Sequence, residues 1–136
     1  HAPHTLEEKS NSYFKAPSGG PLVQHALVSM LEHYHNGKIS LEKIAEKMSH
    51  AVADCFQIEK RGYIKEGFFA DLVVVDIDNP WTVAKENLFY KCGWSPFEGT
   101  TFKSQVSHTF VNGELVYEKG KVNDTILAGK RLLFNR

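Results

Sequence analysis

Hydrophobic residues recur every three or four positions early in the chain, the spacing that places side chains on one face of a helix. These positions are Leu22, Val23, Ala26, Leu27, Met30, Leu31 and Tyr34. Pro21 is suited to the first helical position, and Asn36-Gly37 provides a signal for the helix to stop. The pattern therefore predicts an amphipathic helix between Pro21 and Asn36.

A second helical pattern follows Ser40, which is predicted to be its N-cap. The buried stripe of this helix is expected to contain Leu41, Ile44, Ala45 and Met48. Ser49 is predicted to cap a third, short helix that ends near Phe56. Cys55 lies in this apolar stretch and is expected to be a core residue rather than a catalytic thiol.

The pattern changes from helical to extended near Gly62. Asp71–Ile77 (DLVVVDI) is a continuous run rich in β-branched residues, typical of a strand buried on both faces. Asn112-Gly113 lies between two short alternating segments and predicts a hairpin, because both turn residues need positive φ. Residues 1–21 contain three prolines and predict a long loop. Helices followed by strands fit either two domains or the end of a larger fold.

Composition narrows the class of protein. The 136 residues include 16 basic and 16 acidic side chains, which argues against a nucleic-acid partner because such proteins gather an excess of basic charge. No apolar run approaches the ~20 residues of a membrane helix, so no membrane partner is expected. The two cysteines form no CxxC motif, which favours a reducing, cytoplasmic location. The chain starts at His1 without methionine and is expected to begin inside a longer protein.

Three short motifs could carry chemistry. His1 and His4 flank a proline and are too few to hold zinc, which takes three or four protein ligands. His33 and His35 point to different faces of the predicted helix, and the favoured interpretation is a stabilising contact with its C-terminal end. Gly19-Gly20-Pro21 either simply leads into a helix or presents backbone N–H groups to an anion. Together with His4, this turn would suit a carboxylate.

An aromatic turn lies near the middle of the second half of the chain. Trp94 and Phe97 are expected to anchor the loop Trp94–Gly99. No base is evident for Ser95, so this residue is not interpreted as a nucleophile.

Four segments together resemble one known family. HAPH at residues 1–4 is similar to the latter part of the DHAPH motif of dihydroorotases, in the amidohydrolase superfamily. The segments Lys60–Asp76 (KRGYIKEGFFADLVVVD), Ser95–Gly99 (SPFEG) and Val111–Gly120 (VNGELVYEKG) resemble later parts of the same proteins, in the same order. The similarity extends over roughly residues 1–120.

The resemblance implies an α/β fold, the C-terminal part of a (β/α)₈ metal-dependent hydrolase barrel plus part of a composite β-sandwich. Residues 1–58 would be the end of the barrel, with residues 1–21 as an active-site loop at its catalytic face. Residues 59–119 would be the C-terminal part of the sandwich, and residues 120–136 a C-terminal tail.

The resemblance also implies an activity, the zinc-dependent, reversible cyclisation of N-carbamoyl-L-aspartate to dihydroorotate in pyrimidine biosynthesis. The zinc ligands and the catalytic aspartate of the family lie upstream, the aspartate immediately before the residue that matches His1. No catalytic residue and no metal ligand is therefore assigned in this chain. His4 matches the histidine that holds the substrate carboxylate, and Gly19, Gly20 and Pro21 match the place where backbone groups contact the substrate. No role transfers to Lys9.

The expected partners are the small-molecule substrate, the upstream part of the same enzyme and a second copy in a homodimer. The chain alone is expected to be inactive. Two alternatives stay open: another cyclic amidohydrolase, such as an allantoinase or hydantoinase, and a catalytically inactive dihydroorotase-like protein that serves in assembly.

Overall fold

The structure, a computed structural model, describes residues 4–135. Its longer helices precede all the strands. The helical segments are α1 (Leu6–Lys9), a 3₁₀ turn (Val23–His25), α2 (Ala26–His35), α3 (Leu41–Ala45), a π-helical segment (Glu46–His50), α4 (Ala51–Cys55) and a second 3₁₀ turn (Lys85–Asn87). α1 lies inside the region predicted to be loop, where Thr5 and Glu8 form a capping box that starts the helix.

The strands form two antiparallel sheets. They are β1 (Leu72–Asp76), β2 (Trp81–Thr82), β3 (Thr101–Phe102), β4 (Gln105–Val111), β5 (Glu114–Glu118) and β6 (Lys121–Val122). One sheet has the order β1-β4-β5-β6, and β2 pairs with β3 in the other. The predicted hairpin is confirmed: Asn112 and Gly113 join β4 to β5 with φ of 53° and 89°.

The start of α2 differs from the prediction. Pro21 is buried, but it precedes a 3₁₀ turn and is not the first helical residue, while Val23 is 73% exposed. Long-range contacts explain the shift. The Gln24 N–H donates to Tyr90 Oη at 2.7 Å, and the Gln24 side chain donates to the Asn87 carbonyl at 2.7 Å. These contacts outweigh the local preference for a regular helix at this point.

The second helical region is continuous from α3 through the π-helical segment to α4. Ser40 is its N-cap, as predicted, and its Oγ accepts from the Lys43 N–H at 3.2 Å. Ser49 is not a cap, because it lies inside the helix and donates to the Gly62 carbonyl at 3.0 Å. Of the predicted buried stripe only Ile44 is buried. Leu41, Ala45 and Met48 are exposed, as is Cys55, so its prediction as a core residue was wrong.

The core lies between α2 and the two-stranded sheet. Val28, Val83 and Phe102 form its centre, and Trp81, Leu88, Phe97 and Val106 pack against it. β1 is at an edge of the larger sheet, where Val73 and Val74 are each about half exposed. Burial of this strand on both faces is therefore wrong for the described residues.

Residues after 119 return to the rest of the chain. β6 pairs with β5, and Ile58, just after α4, makes a β-bridge with Phe134. The division into residues 1–58, 59–119 and 120–136 stays a prediction.

Candidate functional site

His4 is held at both its backbone and its ring. Its carbonyl accepts a hydrogen bond from Trp94 Nε1 at 2.8 Å, across 90 positions of sequence. Its Nδ1 lies 3.5 Å from Glu8 Oε2, and the imidazole side chain is 29% exposed. The Thr5 N–H, which donates to the same Glu8 oxygen at 2.8 Å, lowers the pKa of that carboxyl, and His4 acts in the same direction. The carboxylate is thus ionised beside a partly open imidazole.

The loop after α1 is closed by Lys9. Its Nζ donates to the Pro17 carbonyl at 2.5 Å and to the Gly19 carbonyl at 2.8 Å. Two charge-assisted bonds from one ammonium hold both ends of a short segment against the same point. Lys9 received no role from the sequence, because the path of the loop decides which carbonyls it can reach.

Gly19, Gly20 and Pro21 form an open turn beside the two hydrogen bonds of Lys9. Gly19 has a φ of +90°, and Pro21 is buried at the base of the turn. The turn does not cap a helix directly, because Leu22 and the 3₁₀ turn separate it from α2. The predicted contribution of a helix N-terminus at Pro21 is therefore not present.

His4 and the Gly19–Pro21 turn are linked through the loop that contains them. α1 carries the Glu8 contact to His4 and the Lys9 contact to Gly19 on adjacent residues. His1, the other histidine of the HAPH motif, lies outside the described residues.

A buried histidine supports the aromatic turn from beneath. His25 is fully buried, and its Nδ1 lies 3.3 Å from Ser95 Oγ, which also accepts from the Phe97 N–H at 3.2 Å. Stacked on Trp81 and Phe102, the ring is desolvated, and this burial lowers the pKa of His25. Its Nε2 finds no hydrogen-bond partner among residues 4–135.

This pair corrects the expectation that Ser95 has no base nearby. The site is enclosed by aromatic rings, however, and Ser95 is itself buried. The geometry therefore suits an anchor for the loop that carries Trp94 rather than a nucleophile. The prediction that Phe97 anchors the loop is confirmed by its packing on the core. No role was assigned to His25 from the sequence. Its only indication in the sequence is that it lies within the first amphipathic pattern, between Val23 and Ala26.

The position predicted for the other histidine pair, the end of the first long helix, is confirmed, whereas the stabilising contact with that helix end stays a prediction. His33 and His35 lie in the last turn of α2, and His35 Nε2 is 2.8 Å from Ser104 Oγ. No group of three or more His, Cys, Asp or Glu side chains in residues 4–135 could hold a metal ion. The resemblance assigns the zinc ligands to the upstream part of the longer protein and none to residues 4–135. None of the helices in this range has the length and hydropathy needed to span a bilayer.

A cavity of about 580 Å³ lies elsewhere, between the start of α2 and the larger sheet. Leu27, Val73, Val106 and Tyr117 are among its lining residues. Its lining includes neither His4 nor the Gly19–Pro21 turn, so the predicted substrate site lies outside this cavity.

Comparison with known proteins identifies the family. The profile described as the amidohydrolase family matches residues 9–116, most of the chain. The chain belongs to the amidohydrolase family. A dihydroorotase of Pyrococcus furiosus is 37% identical over 122 residues, which are 90% of this chain and 28% of that protein. An allantoinase of Desulfitobacterium hafniense is 35% identical over 123 residues, 90% of this chain and 27% of the relative.

A solved amidohydrolase structure agrees with this assignment. An L-hydantoinase (dihydropyrimidinase) from Arthrobacter aurescens superimposes with a TM-score of 0.73 at 31% identity, covering 80% of this chain and 25% of that one. The chain thus spans about a quarter of the length of these relatives. The predicted fold class is confirmed: residues 4–135 have the end of an amidohydrolase barrel followed by part of the β-sandwich.

Proposed function

We propose that this chain is the C-terminal part of a zinc-dependent dihydroorotase, which interconverts N-carbamoyl-L-aspartate and dihydroorotate in pyrimidine biosynthesis. The observation that carries the proposal is the placement of His4, whose carbonyl is fixed by Trp94 and whose ring faces Glu8. Identity of 37% to the Pyrococcus furiosus dihydroorotase supports the same activity. The enzyme would be cytoplasmic and a homodimer.

His4 would bind the substrate carboxylate. With Nδ1 beside Glu8, the Nε2 of the ring is the nitrogen available to a ligand. A protonated imidazole would donate a charge-assisted hydrogen bond to the carboxylate, and Glu8 would balance its charge. The backbone at Gly19, Gly20 and Pro21 would contact the same substrate from the other side of the loop.

The metal and the catalytic aspartate would come from the upstream part of the same enzyme. Zinc, when bound, polarises a carbonyl and lowers the pKa of a water molecule. The residues of this chain would bind and orient the substrate, and the chain alone would be inactive. No step of the reaction is assigned to the described residues beyond that binding.

The test is the variant His4→Ala in the longer protein that carries this chain. We expect KM for dihydroorotate to rise by about 10- to 100-fold, because a hydrogen bond to a charged group contributes about 1.5–3 kcal/mol. The zinc content, measured by atomic emission, should stay the same. Loss of zinc with unchanged KM would contradict the role proposed for His4.

A second candidate activity is hydrolysis of another cyclic amide. It is favoured by the 35% identity to an allantoinase, close to the value for the dihydroorotase. Assays of the longer protein with dihydroorotate, allantoin and hydantoin separate the two proposals. Turnover of allantoin or hydantoin, but not of dihydroorotate, would replace the first proposal by the second. Absence of all three activities from a zinc-loaded, folded protein would favour an inactive assembly protein.

A further inference from the structure

We propose that α1 is a positioning element for the substrate site, in which Lys9 sets the direction of the Gly20 N–H and Glu8 sets the ring of His4. The inference deepens the proposed function and rests on it where the ligand is called a carboxylate. Lys9 and Glu8 would act through other residues without touching the substrate.

The two contacts of Lys9 converge on one short segment. Its Nζ lies 2.5 Å from the Pro17 oxygen and 2.8 Å from the Gly19 oxygen. An ammonium has three donors and no acceptor, so both carbonyls must turn toward it. Lys9 is partly buried, which limits the competition from water for these bonds.

The orientation of one carbonyl determines the orientation of the next N–H. The peptide bond between Gly19 and Gly20 is trans, since the described residues contain no cis peptide bond. In a planar trans peptide the C=O and the N–H point in opposite directions. Because Lys9 binds the Gly19 oxygen, the Gly20 N–H points away from Lys9. Among residues 4–135 this N–H meets no acceptor, so it can donate to a ligand.

This peptide needs an external restraint more than most. It lies between two glycines, and Gly19 already has a φ of +90°. Glycine has wide backbone freedom, so a rotation of this peptide plane would meet little steric resistance. Such a rotation would present the Gly19 oxygen, instead of the Gly20 N–H, to an anionic ligand. The ammonium of Lys9 opposes it by holding the oxygen.

Glu8 restrains the imidazole ring of His4, as Lys9 restrains the Gly19–Gly20 peptide. Its Oε2 accepts from the Thr5 N–H at 2.8 Å and lies 3.5 Å from His4 Nδ1, while its own N–H donates to Thr5 Oγ1 at 3.2 Å. The capping box thus fixes the position of the Glu8 carboxylate independently of its contact with the His4 imidazole. One helical turn therefore orients both predicted ligand contacts, through two adjacent residues of opposite charge.

The experiment compares Lys9→Met, Lys9→Arg and Lys15→Met in the longer protein. Lys15 is an exposed lysine of the same loop and is the matched control for loss of one positive charge. Hydrogen–deuterium exchange of peptides within residues 10–21 measures the restraint on the loop without requiring activity. Steady-state kinetics with dihydroorotate measures its consequence.

For Lys9→Met we expect exchange to rise within residues 10–21 and to stay unchanged in the helices after residue 26. kcat/KM should fall about 10- to 100-fold, mostly through KM, because a displacement of about 1 Å in a positioning group can cost a hundredfold. Lys9→Arg should recover part of the loss, and Lys15→Met should match the unsubstituted protein in both measurements. Glu8→Gln should raise KM while leaving exchange in residues 10–21 unchanged.

Unchanged exchange in Lys9→Met would overturn the inference, whatever the substrate. A fall in kcat with unchanged KM would also overturn it, because the role assigned is the orientation of a binding group. Raised exchange in a protein that never converts dihydroorotate would refute the proposed function and support the restraint by Lys9. The two failures are therefore distinguishable.

Discussion

Gly62 lies in the segment after α4 and packs directly against the helical region. Its carbonyl accepts hydrogen bonds from Ser49 Oγ and His50 Nδ1, and its φ is +83°. A Cβ placed on Gly62 would lie 2.3 Å from the Cβ of Ala53, which is buried, and 3.2 Å from the Ser49 carbonyl oxygen. Neither neighbour can move away as a flexible side chain could, so Gly62→Ala should force the two segments apart.

Two separate costs are expected for Gly62→Ala. An L-residue in the left-handed region costs about 1–2 kcal/mol. Overpacking a closely packed contact costs about 1–3 kcal/mol more. Gly67 has a φ of +79° and nothing within 4 Å of an added Cβ, so Gly67→Ala carries only the first cost. The difference between the two variants isolates the steric clash.

Urea unfolding of both variants, with fluorescence and circular dichroism as probes, gives the free energy of unfolding. We expect Gly62→Ala to be less stable than Gly67→Ala by about 1–3 kcal/mol, the overpacking term alone. Equal midpoints and equal slopes for the two variants would refute the reasoning. Such a result would mean that the helix and the Gly62 segment can move apart without loss of stability. Their close approach would then contribute nothing to the free energy of unfolding.

Two further predictions concern a buried histidine and a partly buried ion pair. The pKa of His25 is lowered by burial, so the unfolded chain binds a proton more readily than the folded chain, and stability should fall as the pH drops below about 6.5. His25→Phe should flatten this part of the pH dependence in thermal unfolding, and an unchanged slope would contradict it. Arg61 forms an ion pair with Asp71 and donates to Asn112 Oδ1 at 2.7 Å, with its side chain only 10% exposed. Arg61→Lys should lower the free energy of unfolding by about 1–2 kcal/mol, because lysine lacks the planar fork, and no change in the urea midpoint would contradict it.

The parts of the fold that depend on neighbouring residues could be predicted. The Asn112-Gly113 hairpin follows from the φ angles of a two-residue turn, and the Ser40 cap from a single hydroxyl and a nearby N–H. The start of α2 could not, because it depends on contacts between Gln24 and Tyr90, 66 positions away. The exposure of Cys55 and of β1 depends equally on which surfaces other segments cover, and alternation patterns carry no such information.

The candidate site, like the fold, could be predicted only in part from the sequence. His4 was predicted from a motif, and the Gly19–Pro21 turn from its composition. The contacts that hold them come from Lys9, Glu8 and Trp94, and they depend on the three-dimensional path of the loop. The spacing of glycines and prolines predicts that a turn occurs but not which carbonyls it presents to a lysine.

The hydrogen bond from Trp94 to the His4 carbonyl has a consequence for the order of folding. Loop-closure entropy disfavours early contacts between residues 90 positions apart, whereas α1 and its capping box can form from local contacts. During synthesis His4 leaves the ribosome long before Trp94. The loop would therefore reach its final geometry only after the aromatic turn has docked on the core around Phe102. A chain that stops before Trp94 would keep every predicted substrate-binding residue but lose the contact that holds His4.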